Sequence, residues 1–396
     1  MKQLLNRAPM TLLRTAGCAS LALLAASCGV RETSAQAGIN SAEQAATAQT
    51  AFHLYVAPTG VDTNPGTEAS PFRSIERAGQ AAFPDTTVHV APGTYMGGFK
   101  TLANGTPKAR VYYLSTQRWG AKIVPPLNSS SPSAWDNRGN YVDIVGFDVD
   151  GTIYQGGTKW LNGIYSGGSY DSIRNNHVHH IATLDNCTSA EGAGISIESF
   201  YHGIKSEVIG NNVHDIGPAG CRAIQGINVN TPGTVANNIV YRVAFAGIHL
   251  WHDATNVIIT NNTVSASHSG IVVGGGDNYY TTGPDDHTHV SNNIVYDNKN
   301  GISELGATGK NNTYHNNLVF ENAGGDWRLS NGIQAAASVA KAPQFLSYSR
   351  TGTPDFRLVS TSPAIGKGNV AHAHPTDFKG APRNAKTGVD IGAYQH

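Results

Sequence analysis

Apolar residues in this chain come in short runs, many of them alternating with polar ones. "TTVHV" (residues 86–90), "NNIVY" (237–241 and again 292–296) and "GIHL" (247–250) are typical, each bounded by Gly, Asn or Asp. Runs of this length with a period of two predict strands, and the flanking residues predict turns. Two markers then recur along the chain. Asn-Asn pairs stand at 175–176, 211–212, 237–238, 261–262, 292–293 and 316–317, so successive second asparagines are 36, 26, 24, 31 and 24 residues apart. Gly-Ile pairs begin at Gly163, Gly194, Gly226, Gly247, Gly270 and Gly301, between the Asn-Asn pairs. Each interval therefore holds two or three strands and little else. A strand-only repeat of this period predicts the stacked coils of a parallel β-helix. Equivalent positions of such a stack lie in register, so the asparagines are expected to hydrogen-bond from coil to coil as a ladder. The terminal edge of the stack needs a cover. "PFRSIERAGQAAF" (71–83) has Phe72, Ile75, Ala78 and Ala82 at helical spacing, which predicts a short capping helix before the strand of residues 86–90.

Composition agrees with strands and turns. Of 396 residues, 45 are Gly and 18 Pro, and only 14% are charged. The formal net charge is zero, which gives no electrostatic reason for binding nucleic acid or an anionic membrane surface. At the start, Lys2, Arg7 and Arg14 precede an apolar run, 19–26, too short to span a bilayer, as in an export signal. "LLAASCGV" resembles a bacterial lipoprotein box with Cys28 as the lipid-bearing residue, although Ala25 stands where Leu is usual. Cleavage after "AQA", at Ala37, is the rival reading. Either way the mature protein is expected outside the cytoplasm, at the outer membrane or in the periplasm or medium. Any membrane attachment would be through the lipid alone. The expected organisation is a signal segment at 1–28, a flexible linker rich in Ala, Gln, Ser and Thr at 29–52, and one β-helix over 53–396. Two cysteines remain, Cys187 and Cys221. They lie seven residues before Gly194 and five before Gly226, in matching loops of adjacent coils, and are expected to pair in an oxidising compartment.

The segment "LYVAPTGVDTNPGTEASPFRSIERAGQAA…DTTVHVAPGTY" resembles the opening module of secreted right-handed β-helix proteins, among them family-nine pectate lyases and related bacterial polysaccharide lyases and epimerases. Tyr55, Val56, Gly60, Asp62, Asn64, Gly66, Pro71, Phe72, Ile75, Val88, Val90, Gly93 and Tyr95 carry the likeness. "SPAIGKG" (362–368) and "DFKGAPRNAKTGVDIGAYQH" (377–396) resemble the closing segment of the same group. The resemblance implies an all-β, single right-handed parallel β-helix, a polysaccharide partner and, through the pectate lyases, calcium. The catalytic lysine and aspartate-built calcium site of those lyases have no counterpart here in the Gly-Ile column. The acidic pairs Asp148/Asp150 and Asp285/Asp286 are the ones available to calcium, and neither sits in a calcium-loop pattern.

If each Ile of the Gly-Ile column points inward, the next residue points outward. Ser196 and Glu198, Asn228 and Asn230, and His249 and Trp251 then share one face, on coils about 4.8 Å apart. Glu191, Arg222, Gln225, His252 and Asp253 enter from the adjoining loops. An aromatic plane with amides, charges and imidazoles on one long face suits an extended sugar chain. The expected activity is a polysaccharide lyase or C5-epimerase. His249 is the leading base and His252 the reserve. Asp253 would orient the ring in use, and Arg222 would neutralise a uronate carboxylate. Asn228, Asn230, Gln225, Glu191 and Trp251 would bind substrate, and Glu198 would position Arg222. The alternatives are a glycoside hydrolase using Glu198, Glu191 and Asp253, and a non-catalytic polysaccharide-binding envelope protein. The histidines of "HVHHI" (His177, His179, His180) and His214 show no ligand spacing, so no metal centre is expected. A monomer is expected.

Overall fold

The computed structural model describes residues 51–396, apart from residues 185, 186, 188–190 and 387. The expected signal segment, lipidated Cys28, cleavage at Ala37 and nearly all of the linker lie outside the described residues. Three parallel sheets of ten, nine and nine strands run the length of a solenoid, with two further two-stranded pairs. Each coil crosses the first, second and third sheet in turn, as in Gly233–Ala236, Ile239–Val243 and Ala246–Leu250. The fold is a parallel β-helix, as the repeat implies.

The column Ile164, Ile195, Ile227, Ile248, Ile271 and Ile302 is in register across the third sheet and is buried throughout. The glycine before each isoleucine is a packing requirement. A Cβ on Gly247 would meet Val264 of the second sheet at 2.3 Å and the Gly270 carbonyl at 3.0 Å.

Both members of the Asn-Asn pairs have a use, and the uses differ. One forms a buried ladder at the corner between the first and second sheets. Asn211, Asn238, Asn262, Asn293 and Asn317 each accept on Oδ1 from the backbone N–H of the asparagine one coil before, at 2.9 Å, and Asn176 opens the series by accepting from Phe147 N–H. The amide nitrogens of Asn176 to Asn293 donate onward to the next side chain, and all six donate back to a strand carbonyl. The residue before each ladder position takes the left-handed conformation, which asparagine tolerates better than most residues. In the coil at 210–212 that role falls to Gly210, and the ladder runs through Asn211, one place earlier than the pair count suggests. Several left-handed asparagines hold the C-terminal segment along this corner. Asn237, Asn261, Asn292 and Asn316 donate to the carbonyls of Thr376, Asp390, Asn369 and Lys367.

The helix forms over Ile75–Ala81, with Ser74 as its N-cap accepting from Arg77 N–H. Ile75 and Ala78 are buried in the main core along with Phe72. Cys187 and Cys221 are disulfide-bonded, with α-carbons 5.4 Å apart. Closing a loop of this size stabilises the fold by about 3–4 kcal/mol in the chain-entropy model.

Candidate functional site

The outward positions of the third sheet converge. Two adjoining cavities open on this face and share Glu191 and Asn228. The larger, about 400 Å³, is lined among others by Arg222, Gln225, His249, Trp251, His252 and Asp277. The smaller, about 180 Å³, is lined among others by Tyr165, Ser196, Glu198, Phe200 and Tyr279. A concavity in which many polar and charged groups converge beside Phe245, Trp251 and Phe200 has the character of a site for a polar ligand. Strand register brings Ser196, Asn228 and His249 side by side on successive coils.

A hydrogen-bonded chain runs across those coils. Glu198 accepts from Ser196 Oγ and from Asn230 Nδ2 (2.6 Å), and Asn228 Nδ2 approaches its other oxygen at 3.5 Å. Asn228 Oδ1 faces His249 Nδ1 at 3.0 Å. Because an amide oxygen only accepts, His249 Nδ1 carries the hydrogen and the lone pair of the neutral ring lies on Nε2. Nε2 has no hydrogen-bond partner among the described residues. Burial lowers the His249 pKa to about 4, so the imidazole is neutral near pH 7. The site thus shifts this histidine strongly. Its ring lies nearly parallel to Trp251, with centroids 5.6 Å apart. The indole fits because Gly274, Gly276 and Gly306 carry no side chain. A Cβ there would come within about 3 Å of it. The bare glycines of the coil at 270–276 therefore seat the tryptophan of the coil before.

His252 moves the other way. Burial disfavours its charge, but Glu191 and the Asp277 carbonyl outweigh burial and raise its pKa. Its Nδ1 donates to Asp277 O at 2.9 Å, while Nε2 lies 3.9 Å from Glu191 and 3.3 Å from Tyr279 Oη. The hydrogen bond to His252 in turn lowers the pKa of Glu191. Burial raises the pKa of Glu198. Two histidines and two glutamates thus have pKa values driven apart within one site, the usual mark of assigned acid and base roles.

Three expectations need correction. Asp253 orients no histidine. Its carboxylate accepts from Ser199 Oγ (2.7 Å), from the N–H groups of Tyr279, Tyr280 and Thr281, and from Thr281 Oγ1, which anchors the loop that carries Tyr279 to the cleft. Glu198 makes no contact with Arg222; its partners are the serine and asparagines already named. Gln225 lines the cleft, but in the orientation that satisfies its amide, Nε2 donates to the carbonyls of Gly192 and Ala223. Arg222 is exposed on the cleft wall and makes no hydrogen bond or ion pair with a described residue. Asn230 sits behind Glu198. Glu304, on the last Gly-Ile strand, points inward and is buried, accepting from Tyr314 Oη (2.7 Å) and Ser330 N–H (2.7 Å).

Sequence reasoning missed the aromatic rim. Phe200, Tyr201, Tyr279 and Tyr280 are all well exposed beside the cleft, and Tyr279 stacks on His252 at 4.3 Å. Their signal was "FY" and "YY" in loops just after two Gly-Ile strands. Asp285 is buried against Thr288, and Asp286 caps the backbone of Asn311. Among the described residues, both groups of three or more converging metal-capable side chains contain histidine, which a calcium site built of oxygens does not use.

Comparison with known proteins agrees on the fold. The sequence model of a family described as a protein of unknown function (DUF1565) matches residues 58–100. The uncharacterized protein YwoF of Bacillus subtilis (strain 168) is 27% identical over 205 residues, half of this chain, and the match spans 43% of that protein. Among solved structures, the pectate lyase Pel9A superimposes with a TM-score of 0.55 at 17% identity, over 87% of this chain and 96% of its own. A rhamnogalacturonan lyase does so with 0.54 at 16%, over 81% and 97%. A glycoside hydrolase gives 0.52 at 9%, over 73% and 96%. The chain thus has the parallel β-helix fold of these proteins.

Proposed function

We propose that this protein is an exported carbohydrate-active enzyme that binds a uronate-containing polysaccharide along the third sheet and removes a C5 proton, as a lyase or C5-epimerase. The observation that carries the reading is the chain from Glu198 through Asn228 to His249. It holds a neutral imidazole in one tautomer and leaves Nε2 free in a residue that lines the cleft. In the proposed step the C5–H bond breaks and the proton passes to His249 Nε2. The electron pair moves towards the uronate carboxyl group, whose charge Arg222 offsets. For elimination the C4–O bond then breaks, a C4–C5 double bond forms, and His252 supplies a proton to the leaving oxygen. For epimerisation a proton returns to C5 from the opposite face. Trp251 and the rim aromatics would stack on sugar rings. The pectate and rhamnogalacturonan lyases of the same fold support the substrate class.

A second reading has one specific observation behind it. Glu191 and Glu198 line the same small cavity with pKa values displaced in opposite directions, as a glycosidase acid and its partner require. Incubating the purified protein with pectate, alginate and neutral polysaccharides separates the two. An elimination product absorbs in the near ultraviolet through its new double bond, whereas hydrolysis yields reducing ends without absorbance. New reducing ends without absorbance would overturn the elimination reading, as would absence of both signals and of any C5 inversion.

A further inference from the structure

The outer face of the second sheet gathers a different set of side chains. Asp148 and Asp150 lie on one coil, His177 and His179 on the next, and His214 on the third, with Asp148 paired to His177 and His179 paired to both Asp150 and His214. The alternating Val149, Val178 and Val213 point into the core and are fully buried, so the polar residues share the outer face. Coil stacking makes this convergence, which residue spacing along the chain does not reveal.

Asp148 Oδ1 lies 2.8 Å from His177 Nδ1 and 3.1 Å from His179 Nε2. Beyond them, His177 Nε2 faces His214 Nε2 at 2.7 Å, and His214 Nδ1 faces Asp215 Oδ2 at 2.6 Å. From Asp148 to Asp215 there are thus three contacts between atoms that all need a hydrogen between them. Two neutral imidazoles supply only two. One further cation, a proton or a metal ion, must therefore lie in this chain.

We propose that this cluster binds one divalent first-row transition ion, zinc in the first instance, through Asp148, His177 and His179. A proton on His177 satisfies one contact, whereas an ion serves all three converging atoms together. With the ion held by His177 Nδ1, His179 Nε2 and Asp148 Oδ1, each remaining hydrogen has one place. His177 Nε2–H donates to His214, His214 Nδ1–H donates to Asp215, and His179 Nδ1–H donates to His180 Nδ1, now 2.7 Å away. Outer hydrogen bonds of this kind are what fix the orientation of metal-bound imidazoles. Lys122 donates to Asp148 Oδ2 at 2.9 Å and leaves Oδ1 to the ion. The three ligand atoms lie within 4.8 Å of one another, with two of the separations at 2.8 and 3.1 Å, and a tetrahedral zinc site with bonds near 2.0–2.1 Å needs edges of about 3.3 Å, so small side-chain adjustments suffice. Imidazole with carboxylate selects zinc, nickel or copper over calcium. The site is on another sheet from the cleft and does not depend on the reading of the cleft. Its effect would be to clip two consecutive coils together directly and to tie in the third through the His177–His214 hydrogen bond.

The test uses the full chain, stripped with EDTA and titrated with zinc chloride at one fixed pH while binding heat and thermal stability are followed. One zinc per chain and a melting temperature several degrees higher, reversed by chelator, are expected. In His177→Gln/His179→Gln, checked for unchanged β-sheet circular dichroism, affinity should fall by at least about tenfold. If the double variant does not fold, His179→Gln alone carries the comparison. Equal zinc affinity in the variants would assign binding to other histidines and overturn the proposal. So would an unchanged melting temperature, or NMR showing His177 doubly protonated in the presence of excess zinc.

Discussion

Asparagines of this chain do two unlike things. Asn238, at the corner between sheets, accepts from the backbone N–H and side-chain amide of Asn211 and donates to Val208 O and Asn262 Oδ1. Asn228, about one strand away in the same coil region, makes contacts with Glu198, Asn230 and His249 that the next coil does not repeat, because Val272 follows His249 in that column. The first is one rung of six in a periodic series. The second belongs to a local group that interrupts an otherwise plain outer face. In a solenoid a repeated polar residue holds the stack together. An unrepeated one has to be explained by something other than the stack.

The strongest way to break this distinction is Asn238→Ala. It would take a partner from four buried polar groups, of which Asn211 Nδ2 and Asn262 Oδ1 each keep another, and should cost about 2–4 kcal/mol, read as a lowered denaturation midpoint. A loss below about 1 kcal/mol would show that the ladder is not structural. Asn228→Ala sharpens the contrast from the other side. Stability should fall by no more than about 1–2 kcal/mol. Turnover should fall by roughly tenfold, because His249 loses the group that fixes its tautomer. The smallest effect concerns pH. Activity that needs neutral His249 and protonated His252 should rise as pH climbs through about 4 and decline once pH passes the His252 pKa, which lies above its ordinary 6.5. His252→Gln should remove the alkaline limb and leave the acid limb in place; an unchanged alkaline limb would assign it to another group.

The coil period, the register of the Gly-Ile column and the pairing of Cys187 with Cys221 were all legible in the sequence, because stacking copies linear spacing directly into space. So was the gathering of Glu198, Asn228, His249 and Trp251, which follows from alternation on registered strands. What alternation cannot show is how a side chain bends once placed. Asp253 turns to the backbone of residues 279–281, and Gln225 turns to the carbonyls of Gly192 and Ala223. Nor could it show loops that fold back. Tyr279 reaches the cleft only because Asp253 holds its loop. The strong shift of His249 is likewise a product of burial between neighbouring coils. The His177–His179 cluster was hidden for a related reason, since its ligands come from coils some 30 residues apart.

The most direct test of the central claim sets His249→Ala beside Glu198→Gln on a uronate polysaccharide, with near-ultraviolet absorbance and reducing ends followed together. Proton abstraction by His249 predicts a loss of roughly 10²-fold or more in His249→Ala. Glu198→Gln, which can keep its oxygen towards Asn230 Nδ2 and turn its amide N–H to Ser196 Oγ, should lose no more than about tenfold. Full loss in Glu198→Gln with His249→Ala still active, and reducing ends appearing without absorbance, would contradict the account.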